Sequence, residues 1–288
     1  TQPSFLVEGR MGGGSSDDVI LPPMENTVLG VCAGTIEVTL LQPMLYCKNA
    51  SQQGLPLTLD PRALYRGLGV SVINMSILTG VQFPLTGLVA QAIAGGADRT
   101  LSASEKIASG FVGGVLSGLI CAPMELVMIQ QQRFGASLLG TAGKIVSDLG
   151  PLALFRGLST SCGREGIFTA GYLGLGPVLG QKLKDEYGMS KPVGEFGGAV
   201  GAGIVAASLS HPLDTIKTCM QGDVKQVTYG STMQTFSTLY AEGGPLRFFN
   251  GWIWRTSRMC CAIFLLGQVK SRLGPLLFPK HYPTENKI

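Results

Sequence analysis

The chain is poor in charge. Asp, Glu, Lys and Arg make up only 14% of its 288 residues, well under the roughly 25% usual in soluble domains. It has two histidines, His211 and His281, too few for a histidine metal site. The seven cysteines (Cys32, Cys47, Cys121, Cys162, Cys219, Cys260 and Cys261) are odd in number and lack metal-type CxxC spacing. They read as small buried thiols in a reducing or membrane setting. No phosphate-binding loop occurs, since Gly143-Lys144 is followed by Ile145 and lacks the upstream glycine. No nucleophile–base or metal constellation suggests an enzyme, and no cofactor or metal is expected. The net charge of +4 is scattered, without a basic block or interleaved aromatics, which argues against a nucleic-acid partner.

What the chain has in abundance is apolar residues, 45% of the total, with a mean hydropathy of +0.30. Leu68 to Ile93 carries no Asp, Glu, Lys or Arg, and neither does Ile107 to Met124. About 20 apolar residues span a bilayer core, so both stretches qualify. A soluble protein could bury one such segment as a central helix; several in one chain of this length point to membrane insertion. Many of the 41 glycines fall inside these stretches. In water they would weaken helices, whereas in lipid small residues let helix backbones approach closely. The segment to about Met24 is polar, contains Gly12–Ser16, and carries Asp17 and Asp18 with Arg10. That composition suits neither a transit nor a signal peptide, and a flexible tail is expected there.

Three prolines end apolar, glycine-rich segments at fixed offsets from other residues. They are Pro43, Pro123 and Pro212. Nine residues before them lie Gly34, Gly114 and Gly203; nine after lie Gln52, Gln132 and Gln221. Two residues after the prolines come Leu45, Glu125 and Asp214, and five after come Lys48, Met128 and Lys217. Further on, an aromatic–basic–glycine step recurs as Tyr65-Arg66-Gly67 and Phe155-Arg156-Gly157, modified to Phe249-Asn250-Gly251. This is an internal repeat in three copies. A proline inside a helix removes a backbone hydrogen bond and kinks it, here at one depth in each copy. Residues three apart share a helical face, so each Pro-x-acid-x-x-base run can reach its neighbours.

The Pro-x-Asp/Glu-x-x-Lys/Arg runs, their downstream glutamines and the aromatic-Arg-Gly steps resemble the signature of the mitochondrial carrier family. The resemblance covers about Met24 to Leu277. It implies an all-α membrane protein of six transmembrane helices in pseudo-threefold array around a central cavity. The helices are expected near 25–49, 67–93, 104–132, 157–183, 192–221 and 251–276. The chain then divides into a flexible N-terminal tail (1–24), three carrier repeats (25–100, 101–190 and 191–277) and a C-terminal tail (278–288). Carried over position by position, the family's matrix gate pairs Glu125 with Lys217, Asp214 with Lys48, and Leu45 with Met128. The one pair without charge has lost both partners together, which avoids an unpaired buried charge. Gln52, Gln132 and Gln221 stand where the family has glutamine braces, although an apolar Leu45–Met128 contact leaves Gln52 no ion pair to brace.

Substrate contacts in the family lie eight residues beyond the Arg of the Arg-Gly step, here Asn74, Arg164 with Glu165, and Arg258. Charges at mid-membrane depth default to a functional reading, although Arg164 and Glu165 could simply satisfy each other. Arg164 followed by Glu165 resembles the class carrying amino acids or related solutes, and Arg258 suits a carboxylate. Glu37 is another acidic residue within a membrane helix. The second charged network of the family, on the cytosolic side, would fall at Gly87, Pro177 and Ser271 with Ala90, Gly180 and Gly274; all six charges are missing. Only 23 positions separate Pro43 from Arg66, so the first matrix loop is expected to lack most of its surface helix.

Two functions follow from the resemblance. One is alternating-access transport, as an antiporter, of a small anionic or zwitterionic metabolite across the mitochondrial inner membrane. The other is a transport-inactive structural subunit of a larger inner-membrane protein complex. The partners implied are a small-molecule solute and membrane lipid such as cardiolipin.

Overall fold

The computed structural model of the chain describes residues 22–95, 99, 101–135 and 137–281. Residues 1–21 of the expected N-terminal tail lie outside the described residues, while its last two, Pro23 and Met24, already belong to the first helix; the C-terminal tail beyond 281 also lies outside them. Ten helices are described: α1 (Pro23–Gln52), α2 (Pro61–Leu64), α3 (Leu68–Ala94), α4 (Ala103–Phe134), α5 (Leu138–Leu149), α6 (Leu158–Thr169), α7 (Gly176–Tyr187), α8 (Lys191–Gly222), α9 (Thr232–Arg247) and α10 (Trp252–Leu277). A one-turn π-helical segment, Ala170–Leu175, joins α6 to α7. The architecture is all-α, and no strand occurs among the described residues.

Five helices are long and apolar enough to cross a membrane: α1, α3, α4, α8 and α10. The expected fourth crossing, α6 through α7, qualifies only together with Leu138–Leu149, to which the segment Pro151–Tyr187 is bent by 117°. The physical reason is composition. Arg164 and Glu165 interrupt its apolar run, and Lys182, Lys184, Asp185 and Glu186 charge its last turns. Among the described residues, five of the six expected spans thus appear with their boundaries shifted by a few residues, and the fourth only within that bent pair.

Each span packs against its neighbours in chain order, α1 on α3, α3 on α4, α4 on α6, α7 on α8 and α8 on α10. Helix α10 returns to α1 and closes the ring. The repeat glycines explain how the backbones come so close. A Cβ at Gly34 would meet Met75 on α3; at Gly114, the Glu165 carbonyl of α6 at 2.5 Å; at Gly203, Met259 on α10 at 2.7 Å. The same sequence position therefore makes the same odd-on-even contact in all three copies.

The aromatic–basic–glycine steps have a backbone cause. Gly67, Gly157 and Gly251 cap α3, α6 and α10 at their N-termini with φ of 79°, 76° and 82°, a left-handed conformation that disfavours any side chain. Each also abuts the next odd-numbered span: Gly67 at Met128, Gly157 near Lys217, Gly251 at the Lys48 carbonyl. Those three contacts are all to residues five beyond a proline, so one rotation relates them. Between spans, the second and third repeats carry the surface helices α5 and α9. The first has only the four-residue α2, capped by Asp60, whose side chain accepts from the Arg62 N–H. The start of the C-terminal tail is a short 3-10 turn, Pro279–His281, with His281 2.9 Å from Glu25 at the start of α1.

Candidate functional site

The prolines Pro43, Pro123 and Pro212 lie inside α1, α4 and α8. The residues just beyond them meet across the ring. Lys48 Nζ lies 2.7 Å from Asp214 Oδ2, and Lys217 Nζ lies 3.3 Å from Glu125 Oε2. Leu45 packs on the buried cluster of Val70, Val127, Met128 and Ile129. Of the three pairs the resemblance implies, two are ion pairs across the ring, and Leu45 of the third packs on the apolar cluster that holds Met128. Met128 also accepts a contact from the Ser71 hydroxyl through its sulfur at 3.1 Å.

The two ion pairs are parts of one larger cluster. Arg164 reaches down from α6, with Nη2 2.5 Å from Glu125 Oε1 and its Nε 3.5 Å from Asp214 Oδ1. It also bonds Glu165, its chain neighbour. Lys217 lies 3.5 Å from Asp214, and Arg255 Nη1 lies 3.7 Å from it. Asp214, only 2% exposed at its side chain, thus faces four cations. Such buried charges persist only when paired and hydrogen-bonded. Above this cluster, Glu37 of α1 and Arg258 of α10 form a separate pair at 2.8 Å, Glu37 being almost wholly buried. Together the cluster and this pair hold the cations Lys48, Arg164, Lys217, Arg255 and Arg258 against the anions Glu37, Glu125, Glu165 and Asp214. One positive charge is in surplus.

The glutamines also relate the odd spans in rotation. Gln52 of α1 donates to Asp214 Oδ2 of α8 at 2.8 Å and to Thr215 Oγ1 at 3.3 Å. Gln132 of α4 accepts from Asn49 of α1 at 2.6 Å. Gln221 of α8 makes long contacts at 3.5 and 3.4 Å to the carbonyls of Ala122 and Arg156. Gln52 consequently does serve an ion pair, that of Asp214 with Lys48, and not the apolar contact considered for it above. Gln52 lies four residues beyond Lys48, one turn along the same face, so both side chains reach the same carboxylate oxygen of Asp214.

Of the four residues assigned to solute contact, Arg164 and Glu165 join the proline-level cluster and Arg258 is held by Glu37. Asn74 stands apart, its buried carbonyl oxygen without a hydrogen-bond partner among the described residues. Arg255 was missed. It follows Gly251 by four residues, where the other copies carry Ser71 and Ser161. That break in the repeat was the available signal.

A family model described as "Mitochondrial carrier protein" matches residues 99–185 and 189–272. Among curated relatives, the "Probable calcium-binding mitochondrial carrier K02F3.2" of Caenorhabditis elegans is 27% identical over 78% of this chain. This chain spans only 32% of that protein's length. The "Mitochondrial dicarboxylate/tricarboxylate transporter DTC" of Arabidopsis thaliana is 25% identical over 78% of this chain and 84% of its own length. The human "Electrogenic aspartate/glutamate antiporter SLC25A12, mitochondrial" is 28% identical over 65% of this chain and 28% of its own.

Proposed function

The chain belongs to the mitochondrial carrier protein family, and from that premise we propose that it carries a small carboxylate-bearing metabolite across the mitochondrial inner membrane by alternating access. The observation that supports this most is the rotational closure at the proline level: Lys48 with Asp214, Lys217 with Glu125, and Leu45 with Met128. Such a closure is a gate if it opens once per cycle. Opening requires that something replace the lost attractions, and a solute carboxylate can do so for Arg164, which here is shared among Glu125, Glu165 and Asp214. Arg258, held by one carboxylate only, is the second contact for the solute, and Asn74, with its buried amide oxygen unpaired among the described residues, is the third. Relatives named for dicarboxylate, tricarboxylate, aspartate and glutamate transport are in keeping with a carboxylate. The three repeats, 25–100, 101–190 and 191–277, would move as three packed units around the ring.

Reconstitution in liposomes tests this, with labelled amino acids, dicarboxylates and nucleotides offered from outside. Uptake of one carboxylate that disappears in both Arg164→Ala and Arg258→Ala is the expected result. Uptake unaffected by either substitution refutes the assignment of these arginines.

A second reading has its own observation. Where the family carries a cytosolic charged network this chain has Gly87, Ala90, Pro177, Gly180, Ser271 and Gly274. At that end α7 and α8 pack backbone to backbone, a Cβ on Gly198 falling 2.6 Å from the Gly180 Cα. A bundle fixed there suits a structural subunit of a larger membrane complex. Absence of any uptake, with copurification in a fixed stoichiometric assembly, would favour this reading.

A further inference from the structure

We propose that Gln82 of α3 and Thr169 of α6 latch the bundle on the side away from the prolines, so that the chain is closed at both mouths and must break this uncharged contact to admit a solute. This rests on the transport reading above and goes beyond it, since no gate has been assigned to the outer mouth. Burial above the proline level carries it. Glu37 precedes Lys48 by eleven residues on α1, about 16 Å along the helix, yet it is only 1% exposed. The proline-level cluster shields Glu37 from below; its burial needs cover from the other side as well.

Gln82 and Thr169 supply part of that cover. They lie fifteen and twelve residues beyond the capping glycines Gly67 and Gly157, about 22 and 18 Å from the inner ends of their helices. Gln82 Nε2 donates to the Thr169 hydroxyl, and Thr169 is buried. Helix α4 runs between α3 and α6, and its bare glycines permit the contact. One turn beyond Gln82, Thr86 lies against Gly113, where an added Cβ would come within 2.8 Å of the Thr86 Cα. On the α6 side, a Cβ on Gly114 would fall 2.7 Å from the Thr169 hydroxyl. Thr169 follows Glu165 by one turn on the same face, so the bond stands over the Arg164–Glu165 pair. The seam between α6 and α10 is closed by one apolar cluster, in which Phe168 and Tyr172 pack with Met259 and Ile263 on Ala199 and Ala207 of α8. Neither seam uses a charge. The latch residues stand five and eight positions short of Gly87 and Pro177, where the charges are missing. A neutral hydrogen bond is weaker than the ionic cluster at the proline level, so the outer mouth is the one that opens from this state.

The test is a reversible lock. The full chain carrying Gln82→Cys and Thr169→Cys is reconstituted in liposomes, oxidised with copper phenanthroline, and offered labelled L-glutamate, L-malate and ATP. The expected result is a cross-link between the two positions, loss of uptake on oxidation and its return with dithiothreitol, with both single variants indifferent to the oxidant. Failure to cross-link overturns the contact, and a cross-link that leaves uptake intact overturns the latch while transport stands. If wild type takes up none of the three solutes, a second readout decides. Buried Cys162 lies two turns below Thr169 on the same face of α6, and its reaction with a water-soluble maleimide in detergent is followed by mass spectrometry. Gln82→Leu should speed that reaction by up to about tenfold, the worth of one neutral hydrogen bond, and leave Cys219 at the inner end unchanged. That outcome keeps the latch and sinks transport. Equal acceleration at both thiols, or none at Cys162, sinks the latch.

Discussion

Replacing Asp214 with asparagine keeps the size of the side chain and withdraws its charge from four cations. At an effective dielectric near 20, one attraction across the 2.7 Å to Lys48 is worth ~6 kcal/mol. Those at 3.5 to 3.7 Å, to Lys217, Arg164 and Arg255, are worth ~4 to 5 kcal/mol each on the same scale. These gross figures are offset by desolvation, and breaking a buried pair from one side costs about 3–5 kcal/mol net. Substituting the other partner is a different perturbation. Lys48→Met removes one of Asp214's four cations, relieves the burial of an ammonium group that is 9% exposed, and leaves Asp214 with three cations and Gln52. Its cost should be about 1 kcal/mol or less. At about 2–4 °C per kcal/mol for chains of 150–250 residues, Asp214→Asn lowers the unfolding midpoint by roughly 10 °C and Lys48→Met by roughly 2 °C. A thiol-reactive dye in detergent reads this as a rise above the early reaction of exposed Cys261, since Cys47, Cys121, Cys162 and Cys219 are buried until the bundle opens. Equal shifts for the two variants, or a larger one for Lys48→Met, would show that the pair stands alone and that Asp214 is no hub.

The double variant Lys48→Asp/Asp214→Lys should be more stable than Asp214→Lys alone, whose lysine would also face Lys48, yet stay well below wild type, because a lysine at 214 still faces Lys217, Arg164 and Arg255; recovery to the wild-type midpoint in the same dye assay would contradict this. Gly114→Ala should cost several kcal/mol, a Cβ there lying 2.5 Å from the Glu165 carbonyl, whereas Gly69→Ala, with nothing within 4 Å, should be neutral or slightly stabilising. Outside the spans, Asp223 is partly buried, which opposes its ionisation, yet N–H groups of Tyr229, Thr228 and Val227 at 2.8, 2.7 and 3.1 Å outweigh this and lower its pKa. Its contribution to stability is therefore complete above the ordinary aspartate range and disappears as pH falls through the lowered folded value. The midpoint difference between wild type and Asp223→Asn, measured from neutral pH downward, should shrink to nothing in strong acid; a difference that grows on acidification would reverse the sign of this reasoning.

The repeat was legible because its requirements are local. A left-handed glycine before α3, α6 and α10, a proline inside α1, α4 and α8, and a small residue nine positions upstream each answer to the backbone of one helix or its nearest neighbour. These demands recur at fixed spacing, and residue type alone expresses them. The pairs Lys48–Asp214 and Glu125–Lys217 were legible through the family resemblance, which sets the acid of one copy against the base of another. What symmetry could not supply lay where the copies differ. Arg255 stands against Ser71 and Ser161, and Glu37 against Ser117 and Ala206. For these the partner depends on how far a side chain extends across the ring, and on which way the opposing helix is turned at that height.

The five long apolar helices and the prolines within α1, α4 and α8 were thus determined by hydropathy, glycine and proline along the chain. Only the tertiary structure decided that Gln52 serves Asp214, that Arg164, while still paired with Glu165, bridges two other helices, and that Arg255 is left with a donor unused. The physical reason is reach. Arginine, lysine and glutamine carry their polar atoms several ångströms from the backbone, and the carboxylate they find is settled by the packing of helices whose contacting residues lie from 39 to 221 positions apart.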